Sequence, residues 1–436
     1  MAIELAKKII TKVKEAQKLW DKATPEIKEL FKRQHDAFLA KDLSIPIAEG
    51  FPHLYAAMEH GEEGVRKVLG EGVPSISPDG NIDSDGKYEK HDIGWVGAGI
   101  IFLKNLVEGK YDDLSLPPQE QGYKPTVIPN DATIAIIGDW GTGYWEDANT
   151  PAAKVANVVN NSIKPDIVIH LGDVYYYGSK SEVQDNFVNI IPTGKQGTYN
   201  LNSNHDMYSV AVPYFEAVKK SPFGNQGNTS YFALTNDDWL IVGLDTAYLS
   251  SSLDAFLLGS LAKHHALTGE LIPNAQTEFL ISMAQKAASE NKKLIIMSHH
   301  NSFDGPGMTK ETSVELLSKK TLWSQVSTLI EPYLKGEKAY WHWGHAHSGY
   351  ALKEMDNIIS RCVGYGAVPW GKGSDFYVGS NSNIEWFEDT PMPGKEPLTM
   401  NGLMSVVLNA STIIENFYTQ TGTITYSATN GKIAVL

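Results

Sequence analysis

Five apolar runs in this 436-residue chain each stop on a polar side chain able to hold a cation. "ATIAIIGD" closes on Asp139, "DIVIHLGD" on Asp173, "TYNLNSNHD" on Asn204-His205-Asp206, "KLIIMSHH" on His299-His300, and "AYWHWGHAH" on His345 and His347. The first two runs flank "PAAKVANVVNNSI" (151–163), a helix opened by proline, so together they form a β-α-β unit. Ligands of open α/β sheets bind beyond the carboxyl ends of the strands. Five such ends therefore bring carboxylate, amide and imidazole groups to one edge. A single aspartate or histidine after a strand is ordinarily a turn residue or a helix cap. Five in succession are not explained by turn chemistry.

The donors are oxygen and imidazole nitrogen, which suits Zn, Fe or Mn. The only cysteine, Cys362, leaves no thiolate cluster and no intrachain disulfide framework. There are more donors than one tetrahedral ion takes. They fit two ions ~3.5–4 Å apart, a clamp suited to phosphoester hydrolysis.

Further strands are expected at "YFALTN", "WLIVGLDT", "GLMSVVLN" and the pair "STIIENFY"/"TGTITYSA", with a helix over 274–290. Strands alternating with helices imply an α/β core, and the late helix-free strands imply a second sheet packed on the first. The first ~110 residues read as helical. Thr24-Pro25-Glu26 is a helix start, and glycines 94, 97 and 99 favour close helix packing. The expected division is a helical domain (1–111), a proline-rich linker (112–131) and the site-bearing domain (132–436).

The net charge of −14 and the lack of a basic block argue against nucleic acid as a partner. No apolar stretch reaches the ~20 residues of a membrane-spanning helix. The N-terminus lacks a secretory-signal pattern, which points to the cytoplasm unless a signal has been trimmed. Oligomeric state is not legible.

Taken in order, "GDWG", "GDVYY", "NHD", "SHH" and "GHAH" resemble the motif series of calcineurin-like metallophosphoesterases, and most closely purple, tartrate-resistant acid phosphatases. The resemblance covers about 131–370. It implies a four-layer αββα sandwich with the site at the strand ends. It implies that Asp139, Asp173, Tyr176 and His347 hold one metal, and that Asp173, Asn204, His299 and His345 hold the second, with Asp173 bridging. His205 and His300 would be catalytic, facing the phosphate or the leaving group, with His300 alternatively orienting His299.

The resemblance also implies Fe(III) at the tyrosine site, with Fe, Zn or Mn at the second. A Tyr176 phenolate offsets the extra charge of a trivalent ion, and that ion keeps the phenol ionised below its usual pKa of ~10. If the strand continues, Tyr175 and Tyr177 point away and pack. The reaction implied is attack of a metal-bound hydroxide on a small phosphate ester, in line with the leaving group. A phosphomonoesterase is expected; a phosphodiesterase on cyclic nucleotides or other small diesters is the alternative. A metal-stabilised binding protein without catalysis is the alternative of another class. Ser203 departs from the family's glycine at that place. Asp245 reads as structural, Trp140, Trp145 and Trp370 as packing, and His264-His265 as a solvated loop.

Overall fold

The computed structural model describes residues 124–140, 150–174, 176–227, 229–249, 269–300, 322–367, 383–393 and 398–434, together with 14, 16–40, 54–56, 58–59, 75–76, 82–83 and 95–111. Tyr175, Trp145, Trp370 and His264-His265 lie outside the described residues.

Two sheets face one another. The strands, in chain order, are β1 (Thr126–Val127), β2 (Thr133–Ile137), β3 (Ile167–His170), β4 (Gly197–Asn200), β5 (Phe232–Thr235), β6 (Trp239–Leu244), β7 (Lys293–Ser298), β8 (Ala339–Trp343), β9 (Gly349–Leu352), β10 (Ile358–Val363), β11 (Ile384–Phe387), β12 (Gly402–Asn409), β13 (Thr412–Thr419), β14 (Ile424–Thr429) and β15 (Lys432–Ile433). The seven-stranded sheet runs β15-β14-β13-β12-β2-β3-β4 and the eight-stranded sheet β11-β9-β10-β8-β7-β6-β5-β1. The strands that approach the site are parallel neighbours: β2, β3 and β4 in one sheet, β6, β7, β8 and β10 in the other.

Side-chain alternation builds the layers. Ile134, Ile136, Ile167 and Ile169 turn inward to meet Ile295, Met297, Tyr340 and Ile359 across the sandwich. Ala135, Ile137 and Val168 turn outward beneath helix α3 (Pro151–Asn157). On the other sheet, Leu294, Ile296 and Trp341 pack under helices α5 (Ala275–Ser289) and α6 (Leu322–Leu334). This is the four-layer αββα arrangement. Thr150 caps α3 by accepting the Ala153 N–H, with Pro151 in the first turn. The turn that follows α3 widens over Val158–Ile163.

One expectation is corrected. The late strands do not make the second sheet; they extend the first. β12 pairs antiparallel with the free edge of β2, then β13 and β14 follow as a meander. An edge already exposed by the β-α-β unit is the shortest way to satisfy the backbone groups of β12. The second sheet is assembled from the middle of the chain.

In the N-terminal region, helix α1 (Pro25–Ala40) begins as expected, with the Thr24 hydroxyl accepting the Ile27 N–H. Helix α2 (Trp95–Val107) carries Gly97 and Gly99, two of the glycines expected to favour close helix packing. A short antiparallel pair joins Ser75–Ile76 to Ile82–Asp83. Leu30, Phe31, Ala98, Phe102 and Leu103 share one buried cluster with Tyr176, Tyr177 and Tyr208 of the sandwich. Among the described residues, no helix is long and apolar enough to cross a membrane.

Candidate metal centre

The carboxyl ends of β2, β3, β7 and β8, with the loop after β4, deliver their polar residues to one place. Asp139, Asp173, His345 and His347 all adopt left-handed backbone, with φ of 50°, 63°, 66° and 47°. Non-glycine residues there are uncommon and carry strain, which clusters at functional sites. The sharp reversal at each strand tip turns four side chains to a common centre. Backbone bonds fasten the tips together: Asp139 N–H to the Gly172 carbonyl at 3.0 Å, and Gly344 N–H to the His299 carbonyl at 3.0 Å.

Two groups of donors result. Asp139, Asp173 and His347 present ligand atoms within 4.8 Å of one another, as do His299, His300 and His345. Asp173 Oδ2 lies between them, 3.5 Å from His299 Nε2, 4.0 Å from His347 Nε2 and 3.7 Å from His205 Nε2. Asn204 Oδ1 is 2.8 Å from His299 Nε2. His347 Nε2 is 3.3 Å from Asp139 Oδ1, and Asp139 Oδ2 accepts the His345 N–H at 2.7 Å.

The hydrogen bonds define the tautomers. His299 Nδ1 is 2.9 Å from the Leu171 carbonyl, which can only accept, so Nδ1 carries a proton. Nε2 faces the amide oxygen of Asn204. A nitrogen and an amide oxygen at 2.8 Å need positive charge between or beside them, from a second ring proton or from a metal ion. The adjacent His300 is set the other way. Thr246 Oγ1 accepts the His300 N–H at 3.2 Å and stands 3.1 Å from His300 Nδ1. Thr246 is fully buried, and among the described residues Nδ1 is the acceptor its proton finds. The imidazole proton of His300 is then on Nε2.

Charge tells the same story. Burial pushes the Asp139 carboxyl up, against the opposing contact with His347. Burial also works on Asp173, but His205, His299 and His347 outweigh it and hold the carboxyl well below the usual range. For His347 burial lowers the pKa, yet the two aspartates raise it to about 10. Burial and the neighbouring His299 depress His345 well below its usual value. Two buried carboxylates here demand positive charge, while among the described residues Asp173 Oδ1 and Oδ2 and His345 Nδ1 have no hydrogen-bond partner.

These residues fit metal ions. Donors each ~2.1 Å from one ion stand roughly 3.0–3.4 Å apart in octahedral or tetrahedral geometry. The 2.8 Å, 3.3 Å and 3.5 Å separations bracket that spacing. Asp139, Asp173 and His347 would hold one ion and Asn204, His299 and His345 another, with Asp173 placed to reach both.

Tyr176 is brought near the centre through its backbone. Its carbonyl is 3.0 Å from His205 Nδ1, and its N–H donates to Glu182 Oε1 at 3.2 Å. Its ring belongs to the aromatic cluster with Tyr177 and Tyr208. The expected strand alternation does not apply, because β3 ends at His170, before the tyrosines. Tyr177 does pack: a Cβ added to Gly97 of α2 would stand 3.2 Å from its ring.

Ser203 has an ordinary φ of −131° and opens helix α4 (Asn204–Met207), accepting the Asp206 N–H and donating to Asp206 Oδ2 at 2.7 Å. No glycine is needed there. Asp245 is structural as expected, accepting from Asn202 Nδ2 and from the Ala247 and Tyr248 N–H groups. Trp140 is fully buried and donates to the Ala152 carbonyl. The sequence reading gave no role to Thr246, the last residue of "WLIVGLDT", and missed the crowding glycines. A Cβ at Gly344 would lie 2.6 Å from Asp139 Oδ2, and one at Gly172 2.7 Å from His299 Nδ1.

The calcineurin-like phosphoesterase profile matches residues 132–349, half of the chain. Similar solved structures include the GAP50 anchor of the inner membrane complex of Plasmodium, at 14% identity and TM-score 0.45 over 70% of this chain and 89% of that one. A dimetal phosphatase from Danio rerio is similar at 10% identity and TM-score 0.44, over 68% of this chain and 98% of that one. No curated protein sequence matches the chain.

Proposed function

The chain belongs to the calcineurin-like phosphoesterase family, and from that premise we propose that it is a two-metal hydrolase of small phosphate monoesters. The observation that carries the reading is the meeting of His299 Nε2 with Asn204 Oδ1 at 2.8 Å, beside an Asp173 carboxylate that reaches both donor groups. A pair of bound ions would activate water and neutralise the phosphoryl oxygens.

The chain's own residues then divide the work. Asp139, Asp173 and His347 would hold the first ion; Asp173, Asn204, His299 and His345 would hold the second. The neutral amide of Asn204 leaves the second site more cationic than a carboxylate would, which favours an anionic substrate. His205 has its Nδ1 proton engaged by the Tyr176 carbonyl and turns Nε2 toward the centre. From Nε2 it passes a proton to the departing alkoxide. His300, with its proton on Nε2, donates to a phosphoryl oxygen.

The finer reading, a purple acid phosphatase type, hangs on Tyr176. Its place three residues after Asp173 supports a phenolate–Fe(III) bond; its ring's membership of the aromatic cluster weighs against one. Iron-loaded protein is expected to be violet and to lose that colour in Tyr176→Phe. A colourless, active protein with Zn or Mn would restrict the proposal to the broader family chemistry. Paired assays with p-nitrophenyl phosphate and its bis-ester test the monoester preference; faster turnover of the bis-ester would replace it with a phosphodiesterase. No turnover with any metal would favour a binding protein.

A further inference from the structure

We propose that helix α2 of the N-terminal region positions His205, acting through Tyr208. This deepens the reading above and rests on it. Tyr208 follows α4 as its C-cap, where carbonyls are left without helical partners. Its carbonyl instead accepts two buried donors from far up the chain, Asn105 Nδ2 at 2.8 Å and the Tyr111 hydroxyl at 3.0 Å. Two donors on one oxygen use both its lone pairs and fix where Tyr208 stands.

The Tyr208 ring is then wedged between the two regions. Phe102 of α2 meets it edge-on, with centroids 5.9 Å apart, and His205 meets it on another side at 5.3 Å. Phe102 is itself packed on Tyr111 at 5.1 Å. The Ser209 hydroxyl ties the same turn to the Gly178 carbonyl at 2.7 Å. Gly97 lets α2 approach the loop bearing Tyr176 and Tyr177, whose carbonyl at Tyr176 holds His205 Nδ1. So the imidazole is fixed at its Nδ1 edge by one loop and along its ring by Tyr208, and both supports are braced by α2. Asn105 and Tyr111 do not touch the reacting atoms; they are positioning residues.

The test uses the full-length, metal-loaded protein and two substrates. p-Nitrophenyl phosphate has a leaving group that departs without a proton, whereas ethyl phosphate needs one. Tyr111→Phe keeps the ring against Phe102 and removes only the donor; Asn105→Ala removes the other. Each is expected to lower kcat on ethyl phosphate about tenfold, with kcat on p-nitrophenyl phosphate within about twofold and with KM and metal content unchanged. In a His205→Ala background, Tyr111→Phe is expected to add no further loss. Should Asn105→Ala fail to fold, Tyr111→Phe alone decides. Equal losses on both substrates, no loss on either, or a full additional loss in the His205→Ala background would overturn the positioning role. If His205→Ala itself shows no selective loss on ethyl phosphate, it is the assignment of His205 that fails.

Discussion

His299 Nε2 and Asn204 Oδ1, from residues 95 apart in the chain, face each other at 2.8 Å. The Leu171 carbonyl accepts the Nδ1 proton of the His299 ring. A buried contact this close needs positive charge against both atoms, from a second ring proton or a metal ion. Asn204→Ala is therefore expected to lower bound metal from about two ions per chain to about one, read by elemental analysis after desalting. Full retention of both ions would count against Asn204 as a ligand.

Metal binding should also appear as stability. A ligand that binds only the folded chain stabilises it by ~2.7 kcal/mol at a hundredfold excess over its Kd. Chelation is expected to lower the thermal midpoint, and Zn or Mn to restore it. His347→Ala, which leaves Asp139 and Asp173 without their imidazole, is expected to abolish most of that restoration.

Gly344 and Gly336 make a matched pair. A Cβ at Gly344 would come 2.6 Å from Asp139 Oδ2, whereas Gly336, at φ 84°, has open space around it. Gly336→Ala should cost about 1 kcal/mol through backbone strain alone, without loss of activity. Gly344→Ala should displace Asp139 and reduce turnover by roughly a hundredfold with loss of metal. Comparable activity in the two variants would contradict the tight packing behind Asp139.

His170 gives a pH dependence of definite sign. Burial lowers its pKa to about 3, while the unfolded chain titrates near its ordinary value of 6.5. Between those values the unfolded chain binds a proton that the folded chain refuses, so this contribution is full above pH 6.5 and is lost as pH falls toward 3. The slope is about 1.4 kcal/mol per pH unit in the middle of that window. The wild type is expected to lose that much more stability than His170→Gln between pH 5.5 and 4.5, measured by urea unfolding. Parallel pH profiles would show that His170 is protonated in the folded state.

Much of this was legible in the strand endings. Asp139, Asp173, Asn204, His299, His345 and His347 could be nominated because strand tips of parallel sheets share an edge, whichever sheet each strand joins. The assignment of strands to sheets was not legible. "GLMSVVLN" is apolar enough for either sheet, and the choice was made by the vacant edge of β2, a tertiary fact. Nor could alternation place Tyr176 and Tyr177, since the left-handed turn at Asp173 ends the regular backbone before them. The role of Thr246 was invisible for a simpler reason: it depends on standing beside His300, 54 residues away.

The same holds for the polar wall between the sheets. Glu415 lies fully buried with His342 Nε2 2.8 Å from Oε1 and Arg361 3.3 Å from Oε2, joining β13 to β8 and β10. Burial alone would raise the Glu415 carboxyl, but Arg361 and His342 more than reverse it. Glu415→Gln leaves Glu385, 3.5 Å away, as the carboxylate beside Arg361 and is expected to cost about 2–3 kcal/mol, read as a lower urea midpoint with an unchanged m-value. A cost under about 1 kcal/mol would mean that water reaches this wall.

The central claim is best tested by anomalous diffraction from crystals of the protein soaked in Mn or Zn, with wild type and Asp173→Ala compared. Two peaks ~3.5–4 Å apart are predicted in the wild type, one beside Asp139 and His347 and one beside Asn204, His299 and His345, with at least one lost in the variant. A single peak, or two that persist undisturbed without the Asp173 carboxylate, would contradict a paired centre bridged by that residue.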